Sequence, residues 1–279
     1  MGKTHSTNYF YRPSQRQYNG PSVIAVTTKP FMTHSTPSLD VAIAAYNEPA
    51  FTAATLEGYA NQTDMDFTLL VADDGSKDDI RHLVERYKRR VNIKYFYQED
   101  IGFRKAKILN TAVSHSTADY LVFSDNDCIP SRYFIEDHKK AATPGFFVSG
   151  RRIDCQNREL NQLFFNLADY SNLPFDHAGW LIKNTISKNI RYAESAIRFP
   201  HWLHQLWSKK RKPLLGANMA MWRTDFLQAG QFDESFNTYG GEETDLENRL
   251  LTRTQAKLKT VRGRAYVFHL YHKSRAQTP

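Results

Sequence analysis

Four short apolar runs, spaced by segments of helical periodicity and followed by polar turns, constrain this chain more than any other feature. Leu39 to Ala45 (LDVAIAA), Phe67 to Ala72 (FTLLVA), Ile93 to Tyr97 and Tyr120 to Ser124 (YLVFS) have the length and residue types of strands. Between them, Phe51 to Tyr59, about Asp78 to Arg90, and Lys105 to Ser114 repeat with helical spacing. Strands that alternate with helices pair as a largely parallel sheet, because each helix carries the chain back across one face, so an α/β fold with helices on both faces is expected. Ligands of such sheets bind outside the carboxyl ends of the strands. Tyr46, Asp73, Asp74, Asp125 and Asp127 follow those ends and should share one rim.

With 279 residues and 41% hydrophobic content, the chain can bury one sizeable core with an appended lobe. The expected division is a polar N-terminal extension over residues 1–38, a ligand-binding α/β part over 39–155, an amphipathic helical insertion over 156–212 and a C-terminal part over 213–279. The insertion interleaves Phe164, Phe165, Trp180, Ile182, Ile186, Trp202, Leu203, Leu206 and Trp207 with Lys183, Lys188, Arg191, Arg198 and the run Lys209 to Lys212. Residues 180–212 therefore fit either peripheral contact with an anionic lipid surface or a lid or acceptor-binding lobe packed on the core. A formal charge of +8 favours anionic partners, but charge alone does not choose between lipid, nucleic acid and a nucleoside diphosphate. Two cysteines, Cys128 and Cys155, form no framework and no CxxC pair, which points to a reducing compartment. No run reaches the roughly 18 apolar residues of a membrane span, so the expected location is the cytoplasm or the inner face of its membrane.

The chemistry is concentrated in four blocks. Asp125-Asn126-Asp127 closes a strand and suits a hard divalent ion, Mn²⁺ or Mg²⁺, which takes few protein carboxylates and fills its remaining positions with phosphate oxygens. Gly102 to Lys107 opens a helix with Arg104, Lys105 and Lys107, where phosphate charge would be stabilised. Those cations could equally solvate a helix face. Gly240-Gly241-Glu242-Glu243-Thr244-Asp245 sets three carboxylates on one turn. Glu243 is the candidate general base, Glu242 stays open, and Asp245 divides evenly between capping and function. His269-Leu270-Tyr271-His272 can bring an imidazole to the metal, with His269 slightly preferred over His272.

Taken together, Ala44-Ala45-Tyr46-Asn47-Glu48, Asp73 to Asp78, Gly102 to Ala106 through Asn110 to Asp125-Asn126-Asp127, and Gly216 to Ala220 through Phe232-Asp233-Glu234 to Glu242-Glu243 resemble glycosyltransferase family 2 in its own order. The resemblance covers about Leu39 to His272, and the C-terminal part is similar to the galactosyltransferase C-terminal domain. It implies a GT-A fold, Rossmann-like and mostly parallel, with a C-terminal acceptor-binding part. It also implies an inverting transfer of a hexose or N-acetylhexosamine from a UDP-sugar to a saccharide or glycolipid hydroxyl, in bacterial lipopolysaccharide or capsule synthesis.

By the same matching, Ala44, Tyr46 and Glu48 line the nucleoside pocket, Asp74 with Asp73 receives the uracil edge, and Arg104 and Lys105 face the diphosphate or close the pocket. Asp125 and Asp127 are similar to the family's DxD, the second carboxylate nearer the metal, and His269 or His272 to the C-terminal metal ligand. The stretch Tyr239 to Glu243 resembles the family's acceptor and base segment, with Tyr239 where Trp is usual and Glu243 where Asp is usual. Gly241, Trp222 and Asp245 are further acceptor-binding candidates. Two rival readings, a nucleotidyltransferase or sugar-nucleotide hydrolase, and a basic membrane- or nucleic-acid-binding protein, account less well for the ordered blocks. No Walker-type loop is present, and no nucleic-acid partner is expected.

Overall fold

The computed structural model describes residues 36–77, 79–198 and 211–273. Seven strands form the main sheet: β1 (Leu39–Ala45), β2 (Thr68–Asp73), β3 (Ile93–Tyr97), β4 (Tyr120–Asp125), β6 (Phe146–Ser149), β9 (Met219–Trp222) and β10 (Lys257–Thr260), in the order β10-β6-β9-β4-β1-β2-β3. Every pairing from β4 to β3 is parallel, whereas β9 runs antiparallel between β4 and β6. The register sets Ala44 opposite both Ala72 and Asp125, and Ala45 opposite Asp73, so these strand ends do share one rim.

Alternation along the central strands explains why both faces are covered. Val41 and Ile43 point to one side, against Leu56 and Tyr59 of α1 (Pro49–Ala60), Ile80 and Val84 of α2 (Ile80–Tyr87) and Phe134 of α4 (Phe134–Ala141). Ala42, Leu70 and Ala72 point to the other, against Ile108 and Leu109 of α3 (Lys105–Ser114), Phe226 of α7 (Arg223–Ala229) and Leu246 and Leu250 of α8 (Glu242–Arg253). Two strands and two helices of the C-terminal part thus complete the sheet and core laid down by residues 39–155. The expected boundaries at 155 and 212 do not separate two cores.

A second sheet, β5 (Cys128–Pro130), β11 (Tyr266–His269), β7 (Arg151–Cys155) and β8 (Ile190–Arg191), continues from the end of β4. Its apolar face, with Ile153 and Phe268, is covered by α5 (Arg158–Phe165) and α6 (Ala178–Ile186). Phe268 lies 4.7 Å from Phe164, and 5.1 Å from Phe175 in a stacked pair. The aromatics of the insertion face inward: Phe164 is fully buried and Trp180 is packed on Phe268, so they serve the core. Ile182 and Ile186 remain exposed. Trp202, Leu203, Leu206, Trp207, Lys209 and Lys210 lie outside the described residues.

Candidate active site

A cleft of about 800 Å³ opens along the rim. Its floor is Ala44 and Ala45, small residues that leave the strand ends uncovered, and Tyr46 forms a wall with its hydroxyl donating to Asp100 at 3.2 Å. After Tyr46 the backbone enters the left-handed region at Asn47 (φ 54°) and Glu48 (φ 56°) before α1 begins. That turn sends Glu48 away from this cleft. It is exposed and lines a neighbouring cavity with Phe51 and Arg158, which shares Asn126, Asp127 and His272 with the cleft.

The two aspartates after β2 have different tasks. Asp73 is buried and held by three hydrogen bonds: it accepts from Ser76 N and Oγ at 2.8 and 2.6 Å and from the Tyr95 hydroxyl at 2.6 Å. It shapes the turn and does not face the cleft. Asp74 does, with its oxygens accepting from Gln98 Nε2 at 2.5 Å and Arg104 N at 2.8 Å, and burial raises its pKa. Arg104 contributes that backbone N–H and turns its guanidinium to the Glu99 carbonyl, outside the lining of the cleft.

Lys105, at the start of α3, reaches across the cleft to Asp125 Oδ1 at 2.8 Å and Glu243 Oε1 at 3.7 Å. Burial opposes its charge, but Asp125 and Glu243 outweigh that and hold its proton firmly. Asn126 explains why the flanking aspartates face outward. It is buried, takes its N–H to Ala44 O, donates Nδ2 to Thr52 Oγ1 at 2.9 Å, and accepts from Thr55 Oγ1 at 2.9 Å, so α1 pins the middle of the motif.

On the far side of Asn126, Asp127 meets both C-terminal histidines. Its Oδ2 lies 3.1 Å from His272 Nε2 and 3.6 Å from His269 Nε2, and the two imidazole nitrogens are 3.2 Å apart. Burial opposes ionisation of Asp127, yet the two imidazoles prevail and hold its carboxyl below the usual range. Leu270 N donates to Asp127 O at 2.9 Å, joining the end of β11 to the motif. Asn161 of α5 then fixes Tyr271 from both sides, accepting from its N–H at 2.9 Å and donating to its carbonyl at 2.7 Å. The choice left open between His269 and His272 is therefore no choice: both reach Asp127. These three donors are close enough to touch one ion, and two imidazoles suit a transition ion such as Mn²⁺ better than Mg²⁺, which prefers oxygen. Asp125 also has an oxygen near Asp127, but Lys105 engages it.

Glu243 lies in the first turn of α8, where the helix dipole favours a carboxylate, and meets the cleft through Lys105 at 3.7 Å. Gly240 (φ 97°) and Gly241 (φ 104°) make the turn into α8, a conformation costly for any residue with a Cβ. A Cβ at Gly216 would lie 2.0 Å from Glu243 Oε1, so the missing side chain there gives the carboxylate its seat. Burial raises the Glu243 pKa, Lys105 pulls it back, and Glu242 adds to the rise. Glu242 is more deeply buried, and neither of its oxygens has a hydrogen-bond partner among the described residues. Tyr239 is exposed and lines the cleft edge-on to Phe103, ring centres 6.4 Å apart.

Two acceptor candidates fall elsewhere. Asp245 binds Arg249 at 2.6 Å, and Arg249 in turn donates to the carbonyls of Ala229 and Gln231, so the carboxylate ties α8 to the end of α7. Trp222 pairs with Tyr120 at the start of β4, the opposite end of the sheet, and donates to Thr143 O at 3.0 Å. In the other direction, Arg152, Asp100 and Phe103 line the cleft without having been singled out for it. Asp154 sits behind them, 2.7 Å from Arg152 and 3.7 Å from His269 Nδ1. The alternation Arg151-Arg152-Ile153-Asp154-Cys155, with Ile153 and Cys155 buried, is the signal that Arg152 and Asp154 share a polar face.

Comparison with known proteins gives this geometry its family. The model of glycosyl transferase family 2 matches residues 40–197, and one described as the N-terminal domain of galactosyltransferase matches residues 197–273. Validoxylamine A glucosyltransferase of Streptomyces hygroscopicus subsp. limoneus is 30% identical over 81% of this chain and 50% of its own length. Chondroitin synthase of Escherichia coli is 26% identical over 83% of this chain and 34% of its own length. The chain thus spans half or less of the length of these two relatives.

Among solved structures, Staphylococcus aureus TarS (1–349) with UDP-GlcNAc has a TM-score of 0.59 at 14% identity, over 87% of this chain and 61% of that one. The mannosyltransferase PcManGT from Pyrobaculum calidifontis, with GDP-Man and Mn²⁺, has a TM-score of 0.54 at 20% identity, over 86% and 59%. These likenesses establish the GT-A fold. With the first family model matching more than half of its length, the chain belongs to glycosyl transferase family 2 and is a glycosyltransferase.

Proposed function

We propose that this glycosyltransferase moves a hexose or N-acetylhexosamine from a UDP-sugar to a saccharide hydroxyl with inversion, assisted by Mn²⁺, in the making of a bacterial surface polysaccharide. The observation that carries the reading is that Asp127, His269 and His272 converge on the same cleft that Asp74 and Lys105 line, with Glu243 3.7 Å from the Lys105 ammonium. Asp74 keeps a free lone pair on each oxygen and can accept from the N–H of a uracil edge. Support for a nucleotide-sugar donor comes from the GT-A neighbours with UDP-GlcNAc and GDP-Man.

Asp127, His269 and His272 would hold the ion, which when bound would neutralise charge on the departing diphosphate. Lys105 adds a fixed positive charge beside Asp125. Glu243 accepts the proton of the acceptor hydroxyl as its oxygen bonds to the anomeric carbon. The bond from that carbon to the phosphate oxygen breaks on the opposite face, the electron pair leaves with UDP, and one in-line displacement inverts the centre. An α-linked donor then yields a β-linked product. Tyr239 and Phe103 offer an aromatic edge for a sugar ring at the mouth of the cleft.

The test is release of free nucleoside diphosphate from UDP-, GDP- and dTDP-sugars with and without Mn²⁺, in the intact protein and in Asp127→Ala. Metal-dependent release from a UDP-sugar, lost in the variant, is the expected result. Failure to bind any nucleotide overturns the reading.

A further inference from the structure

A second cavity, about 370 Å³, adjoins the cleft and has no role in the transfer as described so far. Four cations line it, Arg151, Arg152, Lys212 and Arg262, against two carboxylates, Asp154 and Glu194. Asp154 is already engaged by Arg152 at 2.7 Å. Arg151 is spent on neutral groups, the Gly150 carbonyl, Ser149 Oγ at 2.9 Å and the Pro213 carbonyl at 3.4 Å, and among the described residues it makes no ion pair. Lys212 makes none there either. Burial, and then the neighbouring Arg262 and Arg152, push the Arg151 pKa down to about 10, the effect of cations gathered in a partly dry space. An anion entering the cavity would relieve that repulsion and gain charge-assisted hydrogen bonds from the guanidinium forks.

Position gives the cavity its meaning. Arg152 belongs to its wall and to the wall of the donor cleft alike. Leu215, also in its wall, precedes Gly216, against which the Glu243 carboxylate rests. The cavity therefore adjoins both the donor cleft, through Arg152, and the seat of the Glu243 carboxylate, through Leu215 and Gly216, so a group held in it would lie next to the proposed base.

We propose that this cavity receives an anionic group, carboxylate or phosphate, of the acceptor, so that the enzyme extends an acidic glycan in preference to a neutral one. The inference rests on the transferase reading above and adds the chemical class of its acceptor. It predicts discrimination by charge at a distance from the reacting hydroxyl.

The experiment is a binding titration on the full chain saturated with UDP and Mn²⁺. The probes are a disaccharide ending in glucuronic acid, its counterpart ending in glucose, and the same disaccharide carrying a phosphate. At low salt, one or both charged probes should bind about tenfold more tightly than the neutral one, and the difference should shrink as salt rises. Whichever charged probe binds more tightly identifies the group as carboxylate or phosphate.

In Lys212→Gln and Arg262→Gln, the affinity for the charged probe should fall several-fold while that for the neutral probe stays where it was. Equal binding of charged and neutral probes, binding of neither, or a preference that survives both substitutions overturns the inference. The UDP titration that precedes each measurement keeps the two readings apart. If UDP does not bind, the donor reading has failed; if UDP binds and charge makes no difference, only the acceptor inference has.

Discussion

At the scale of single residues, adjacent side chains of one chemical type take different tasks because of what each one touches. Asp73 is held by the Ser76 turn and the Tyr95 hydroxyl while Asp74 faces the cleft; Glu242 is buried at the start of α8 while Glu243 reaches Lys105. Glu243→Gln should lower kcat by about 10²–10⁴-fold with UDP affinity unchanged, and Glu242→Gln by less, in steady-state kinetics with nucleotide binding measured in parallel. Because burial raises the Glu243 pKa, the base is lost to protonation above the ordinary glutamate range as pH falls, and the acid limb of the kcat profile should lie correspondingly high. Lys105→Met removes the charge that pulls this pKa back, so it should move the limb to still higher pH. A second residue-scale effect concerns stability. His138 is fully buried, with Nε2 3.0 Å from Asn218 Oδ1, and burial lowers its pKa from 6.5 to about 4. Between those values the unfolded chain binds the proton and the folded one does not, so stability falls as pH drops from 6.5 toward 4, by on the order of 3 kcal/mol. Denaturant titrations across that window should show this loss, and His138→Gln should flatten it.

Elements act here as holders of those residues. α1 grips Asn126, and through it both aspartates of the motif; α5 grips Tyr271, and through it His272. Asn161 is thus a positioning residue that touches no reacting atom. Asn161→Ala should weaken Mn²⁺ binding about 10–100-fold, the range for groups that orient metal ligands, while UDP affinity without metal stays constant. Mn²⁺ titration followed by paramagnetic resonance would check it, and an unchanged Mn²⁺ affinity would refute the role. α8 is held in the same manner by the Asp245 to Arg249 pair and its reach to the end of α7, which is why Asp245 belongs to the scaffold. The strands β7 and β11 carry a double burden, packing Ile153 and Phe268 into the aromatic cluster on one face and presenting Arg152, Asp154 and His269 on the other.

Over the whole molecule, no helix among the described residues is long and apolar enough to cross a membrane. Ile182 and Ile186, one turn apart on α6, are 61% and 77% exposed beside Lys183 and Lys188, the support for proposing peripheral contact with an anionic bilayer. Flotation with vesicles containing anionic lipid should carry the protein upward at low salt, and Ile182→Asp with Ile186→Asp should leave it at the bottom; no flotation of the intact protein ends that proposal. The sequence by itself determined the alternating α/β architecture, the rim of carboxylates and the order of the family's blocks. Those features are written in local periodicity and in residues that directly follow a strand. Only the tertiary structure decided that His269 and His272 both meet Asp127, that Glu48, Trp222 and Asp245 lie away from the cleft, and that Arg152 belongs to it. Each of those outcomes turns on which strands pair, and β9, β10 and β11 join sheets begun more than 60 residues earlier. Contacts over such separations are fixed by packing and register, and no local pattern encodes them.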